Sequence, residues 1–184
     1  MITETGIWSD DEKVYHVNSQ DLLNSLKSIL NPSEPVMDFG CGTGYYLTEL
    51  SKSGFSTLIG FEGTSVPEQP GVTFNVFDLS KPIDIELIPG QVISFEVGEH
   101  IPKEFEETFI NNLIKYCNSK LIISWALLGQ VGLGHVNCQP LEYIINQIEK
   151  RGFTYDAVLS EQTRSLPHTT TPWFNNTIMI FNKK

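Results

Sequence analysis

Val36-Met37-Asp38-Phe39-Gly40-Cys41-Gly42-Thr43-Gly44 joins a short apolar run to a turn with glycine at every second position and an acid just ahead of it. Glycine is required where a backbone takes positive φ or comes close to a ligand, and three at alternate positions leave little side-chain bulk in the way. The stretch reads as a strand, a turn and the start of a helix, built to hold a nucleotide-like ligand.

Outward from it, strands and helices alternate. Leu22, Leu23, Leu26, Ile29 and Leu30 recur at helical spacing after the capping candidates Asn18 and Ser19, and Pro32 with Pro35 closes that helix. After the glycine turn come a helix from about Tyr45 to Ser53 and an apolar strand from Thr57 to Phe61. Strand-like runs follow at Val72 to Phe77, Gln91 to Phe95 and Leu121 to Ala126. An amphipathic helix between the last two carries Phe105, Phe109, Ile110, Leu113 and Ile114 on one face, with Glu104, Glu106 and Glu107 near its start. Leu141, Ile144, Ile145 and Ile148 mark another helix ending at Gly152. The last two strand candidates, Phe153 to Leu159 and Thr177 to Phe181, show no helical pattern between them and suggest an antiparallel edge strand. Segments 63–71 and 80–90 are too rich in Pro and Gly for long helices. The alternation predicts an α/β fold with an open, mostly parallel sheet.

Ligands in such a sheet bind beyond the carboxyl ends of the strands, where strand order reverses. Asp38 and Gly40 to Gly44 end the first strand, Glu62 the second and Asp78 the third, while Glu96, Glu99 and His100 follow the fourth. Glu62 stands about 20 residues after the glycine turn, where an acid can accept hydrogen bonds from two ribose hydroxyls. Asp78 can accept one from an adenine amino group. Dinucleotide folds use G-x-G-x-x-G, whereas Gly40, Gly42 and Gly44 give G-x-G-x-G behind Asp38.

That pattern resembles class I S-adenosylmethionine-dependent methyltransferases, and the likeness runs along nearly the whole chain. Val36–Gly44 is similar to the family's first motif, Ile59–Gly63 to its ribose-binding acid, Val76–Leu79 to its adenine-contacting acid, and Ser94–Pro102 to the motif after its fourth strand. The resemblance implies a Rossmann-like fold with a seven-stranded, mostly parallel sheet, an antiparallel last strand and helices on both faces. It implies S-adenosylmethionine as cofactor, held by Asp38, Gly40, Gly42, Gly44, Glu62, Asp78 and Glu96. Residues 1–184 are expected to form a single methyltransferase domain, with 1–34 as an N-terminal helical segment capping the site.

The acceptor side is less determined. Methyl transfer is an in-line displacement that must align acceptor, methyl carbon and sulfur, and remove a proton from a reluctant acceptor. The chain lacks the Asn/Asp-Pro-Pro-Tyr/Phe signature that holds amino nitrogens and carries Phe95-Glu96-Val97-Gly98-Glu99-His100-Ile101-Pro102 instead. Two acids and a histidine at this spacing converge if the segment enters a helical turn. E-x-x-E-H is similar to a motif of ubiquinone-biosynthesis O-methyltransferases and of small-RNA terminal 2′-O-methyltransferases, where the matching positions bind a metal. By that resemblance Glu96, Glu99, His100 and His135 are candidate ligands for a divalent cation such as magnesium. The other reading is metal-free, with His135, His100 and Glu99 as the catalytic set and a histidine taking the proton. His135 lies in the glycine-rich run Gly129-Gln130-Val131-Gly132-Leu133-Gly134-His135. Trp8, Tyr15, Trp173 and Phe174 are candidates to stack on an acceptor, Trp125 is expected in the core, and a loop around Arg164–Thr169 with His16 and His168 is expected to close over the acceptor.

Composition limits the choice. The formal net charge of −10 disfavours nucleic acid, whose binding rests on Lys and Arg. No run approaches the roughly 18–20 apolar residues of a membrane span. The acids Glu4, Asp10, Asp11 and Glu12 near the start do not suit a signal peptide. Three cysteines without paired spacing suggest a reducing, cytoplasmic setting. The expected activity is O-methylation of a hydroxyl on a small molecule or glycan, with a sugar hydroxyl as one option. The alternatives are terminal ribose 2′-O-methylation of RNA and a non-catalytic cofactor-binding partner subunit.

Overall fold

The computed structural model describes residues 2–9, 11 and 15–184, so Asp10 and Glu12 of the acidic start lie outside the described residues. Seven strands form one sheet in the order β3-β2-β1-β4-β5-β7-β6. They are β1 (Val36–Phe39), β2 (Leu58–Glu62), β3 (Thr73–Val76), β4 (Gly90–Ser94), β5 (Cys117–Ser124), β6 (Phe153–Tyr155) and β7 (Ile178–Lys183). The pairings from β3 through β5 are parallel, and β7 runs antiparallel to both β5 and β6. The helices are α1 (Gln20–Ile29), α2 (Tyr45–Ser51), α3 (Glu106–Tyr116), α4 (Leu141–Glu149), α5 (Ala157–Arg164) and the single turn α6 (Phe174–Thr177).

The period of two along each strand sorts side chains onto two cores. Met37 and Phe39 of β1, Leu121 and Ile123 of β5, and Met179 and Phe181 of β7 pack with Phe109, Leu113, Ile144 and Ile148 of α3 and α4. Val36, Ile122, Ile178 and Ile180 face the other way, onto Leu22, Leu23 and Leu26 of α1 and Leu47 and Leu50 of α2. Each such residue removed from water contributes roughly 1.5–3 kcal/mol, which is why the alternation fixes the register.

Two expectations about the end of the chain are corrected. The candidate strand Phe153–Leu159 stops at Tyr155, because the Asp156 side chain accepts a hydrogen bond from the Leu159 amide (3.0 Å) and starts α5. A helix therefore does separate the last two strands. The antiparallel strand is not at the edge either: β7 lies between β5 and β6, and β6 is the edge. Ile178–Phe181 is buried without interruption, and a strand with both faces buried needs neighbours on both sides.

Within the expected helical cap over 1–34, α1 is the α-helix among the described residues, and Asp11 and Tyr15 take 3-10 conformation. Residues 2–8 form a small hairpin instead, closed by a bridge between Ile2 and Trp8 and by Thr3 N–H donating to the Ile7 carbonyl (2.9 Å). Segments 63–71 and 80–90 are irregular, as their Pro and Gly content predicts. Among the described residues no helix is long and apolar enough to cross a membrane.

Candidate active site

Strand order reverses between β1 and β4, and a cavity of about 620 Å³ opens beyond their carboxyl ends. Its first half is built by the glycine turn. Gly40 and Gly42 have φ of 81° and 57°, and a β-carbon on them would meet Val97 at 2.3 Å and the His16 ring at 2.5 Å. Any side chain there would be strained and would push the covering residues away. The turn is tied to β2 twice. Gly40 and Cys41 amides donate to the Phe61 carbonyl (2.8 and 3.0 Å), and the Gly42 amide donates to Glu62 Oε2 (2.7 Å). Glu62 Oε1 accepts from Gly63 N–H (2.8 Å). Asp38 lines the cavity but is almost wholly buried, and desolvation, then the Glu62 charge, holds its carboxyl well above the usual range.

Two predicted cofactor residues are not on the cavity wall. Gly44 caps α2 in the left-handed region, and Asp78 folds back so that its Oδ1 accepts the Ser80 amide (3.0 Å). Phe77 and Leu79 line the cavity around Asp78. Cys41 and Thr43 line it too, placed there by the glycines on either side.

The other half follows β4. Glu96 sits in the left-handed region at φ 53°, an uncommon conformation that costs about 1–3 kcal/mol and must be enforced by its surroundings. Its amide donates to Ser124 Oγ (2.8 Å), and its carboxylate accepts from Gln130 Nε2 (3.0 Å) and Thr177 Oγ1 (3.3 Å). Gly98–His100 then forms a turn of 3-10 helix. Gly98 is pressed on Trp125, whose indole N–H donates to the Asn137 carbonyl (2.7 Å) in the core, as expected of that tryptophan.

Glu99 is fully buried and neither carboxyl oxygen has a hydrogen-bond partner. Burial first, then the Glu96 charge, pushes its carboxyl well above the usual range. Its backbone carbonyl docks the loop after β5, accepting from Val136 and Asn137 amides at 2.9 Å each. That docking brings His135 to His100, with ring centroids 5.1 Å apart. His100 Nδ1 lies 3.1 Å from the Gly134 carbonyl and His135 Nδ1 lies 3.0 Å from that of Gln130. A carbonyl can only accept, so each Nδ1 carries the proton and each Nε2 is left with its lone pair. Burial pushes His100 down to about 4, so it is uncharged at neutral pH.

Ligand atoms of Glu99, His100 and His135 lie within 4.8 Å of one another. Glu96 is not part of that group, which corrects the expected four-residue set. Its carboxylate accepts from Gln130 and Thr177 and lies close enough to Glu99 to raise that carboxyl. His168 is a second correction. It is wholly buried, bonded to Ser19 Oγ (3.1 Å) and the Thr163 carbonyl (2.8 Å), and does not line the cavity. The Arg164–Thr169 stretch likewise lies off the cavity, because Arg164 ends α5 and donates to Tyr155 Oη and the Ile178 carbonyl. Trp8, Tyr15, His16, Trp173 and Phe174 do line it.

The reversed strand order, the glycine turn and the antiparallel β7 define a Rossmann-like class I methyltransferase fold. The chain belongs to a methyltransferase family: the family model described as a methyltransferase domain matches residues 11–158. Solved structures share the fold at low identity. Magnesium protoporphyrin IX methyltransferase from Synechocystis PCC 6803, with bound S-adenosylhomocysteine, is 19% identical, with a TM-score of 0.64 over 90% of this chain and 83% of that one. A TehB-like S-adenosylmethionine-dependent methyltransferase from Corynebacterium glutamicum is 15% identical, with a TM-score of 0.66 over 95% and 93%. The [4+2]-cyclase SpnF is 13% identical, with a TM-score of 0.62 over 89% and 80%, so the fold alone does not set the reaction. No curated protein sequence matches the chain.

Proposed function

We propose that this methyltransferase transfers the methyl group of S-adenosylmethionine to a hydroxyl of a small molecule. The observation that carries the reading is the pair of imidazole Nε2 lone pairs, on His100 and His135, in the same cavity as the glycine turn. The cofactor's methionine end would lie against Gly40–Gly42. Its ribose would meet Glu62, which lines the cavity at the end of β2. Its base would sit between Phe77 and Leu79. An acidic chain suits a cofactor with a positive sulfonium and no phosphate.

In the transfer, an oxygen lone pair attacks the methyl carbon, the carbon–sulfur bond breaks, and its electrons neutralise the sulfonium to a thioether. The hydroxyl proton goes to a nitrogen base. His135 fits that role better than His100, which is held neutral too strongly to accept a proton readily near pH 7. A cavity of this size on an acidic chain suits a compact acceptor better than a polynucleotide.

A second reading rests on Glu99. A buried carboxylate with two unpartnered oxygens beside two imidazole lone pairs is a donor set for a divalent cation. Two nitrogens and one carboxylate fit manganese, iron or zinc better than magnesium, which prefers oxygen. Such an ion, when bound, lowers the pKa of a coordinated hydroxyl.

A methyl-transfer screen with labelled cofactor over phenols, sugars and RNA, read by mass, tests the proposal. A small hydroxyl acceptor gaining one methyl is the expected result. Methylation confined to amines or to RNA would sink it. Rates that survive chelation unchanged would end the metal reading.

A further inference from the structure

Residues 2–8 precede the span matched by the methyltransferase family model, yet they complete the acceptor half of the cavity. The hairpin is seated at three points where only glycine fits. A β-carbon on Gly6 would lie 2.2 Å from the His100 carbonyl oxygen, one on Gly63 would lie 2.4 Å from Ile7, and one on Gly134 would lie 2.5 Å from Ile2. The hairpin thus touches the loop after β2, the turn carrying His100 and the loop carrying His135. Its closing residue, Trp8, lines the cavity between the two halves. The Trp8 ring meets His100 edge-to-face, with centroids 5.1 Å apart, and His16, which lies over the glycine turn, at 5.5 Å.

On the loop that carries His135, Val131 and Leu133 also line the cavity while remaining 98% and 52% exposed. Apolar side chains left this open gain from being covered. Thr5, Asn18 and Gln130 also line the cavity, but the side chains packed on His100 or close to His100 and His135 in the chain include Trp8, Ile101, Val131 and Leu133, a wall that matches a flat apolar ring better than a polyol.

We propose that Trp8, held by the glycine-seated hairpin, is the aromatic wall that positions a flat, largely apolar hydroxyl acceptor between itself and the Val131–Leu133 lip, over His100 and His135. The proposal rests on the O-methyltransferase reading and narrows its acceptor toward phenols and away from sugars.

Catechol and methyl α-D-glucopyranoside serve as probes, with binding to the S-adenosylhomocysteine complex measured by calorimetry and transfer measured separately. Wild-type protein binds catechol and not the glucoside. Trp8→Ala weakens catechol binding about tenfold and raises its KM in step with kcat little changed, as expected when an aromatic contact shared by ground and transition states is lost. Cofactor affinity stays within about twofold, and Trp8→Phe recovers most of the loss. Gly6→Ala displaces the hairpin and copies Trp8→Ala with the indole intact. Gly54→Ala, also at positive φ but with nothing within 4 Å of its β-carbon, does not. Binding unaffected by Trp8→Ala overturns the assignment, as does preference for the glucoside or no binding of either probe. Catechol binding that depends on Trp8 without any methyl transfer overturns only the O-methylation reading.

Discussion

The two halves of the cavity are built on different principles. The half at β1 and β2 is backbone: glycine amides and carbonyls held by Phe61 and Glu62, with side chains removed from the surface that meets a ligand. The half after β4 is side chain: His100, His135 and Trp8 arrive from three separate segments and are oriented by one another. Backbone geometry suits a donor that never changes, whereas converging side chains can be exchanged without disturbing the sheet. The neighbours fit that division, since proteins named for quite different chemistries share the fold.

Substitutions can break the comparison. His135→Ala should lower kcat by about 10²–10⁴-fold, the range expected of a general base, and leave cofactor affinity nearly unchanged in a calorimetric titration. Equal loss of both would mean that the two halves are not separable.

His168→Ala asks whether any buried histidine would do as much. It should cost about 2–4 kcal/mol in chemical denaturation, because it opens a cavity and strands the Thr163 carbonyl, with kcat unaffected once the protein is folded.

On the donor side, Glu62→Ala removes charge-assisted bonds worth about 1.5–3 kcal/mol and should weaken the cofactor by roughly 10–100-fold. Acceptor binding to cofactor-loaded protein should hardly move.

The smallest effect concerns stability. Glu99→Gln should raise Tm by about 2–4 °C in chelator at pH 8, as an unpartnered buried carboxyl is replaced by an uncharged group. Because the folded carboxyl titrates above its unfolded value, the wild-type contribution is fully present below the unfolded pKa and is lost as pH rises through the folded one. The advantage of the variant should therefore grow with pH and shrink toward pH 4. A constant gap would contradict the raised carboxyl.

His100 works the opposite way. Its folded value is about 4, below the ordinary value, so its contribution is lost as pH falls from about 6.5 toward 4.

The glycine-turn half of the cavity was readable from residue order because its constraints are local. A turn at positive φ needs glycine whatever surrounds it, and Glu62 ends a strand whose register follows from its own apolar pattern. Asp78 carried the same kind of positional signal, but a bond to the Ser80 amide two residues on turned its carboxylate from the cavity. His168 stood in a polar stretch that reads as a surface loop, and the buried pocket formed by Ser19, Thr163 and Phe174 is visible only in three dimensions. Asp156, a capping residue just after a strand, was the available signal for α5.

By itself, the sequence determined the α/β class, the strand that leads into the cavity and the glycine turn that lines it, because those depend on periodicity, glycine conformation and short spacing. Tertiary structure alone decided that His135 reaches His100, that Glu96 lies outside the group of Glu99, His100 and His135, that β7 inserts between β5 and β6, and that Trp8 packs on His100 in the cavity wall. Each of these depends on contacts between segments far apart in the chain, and no local rule of backbone or side chain encodes which of them will meet.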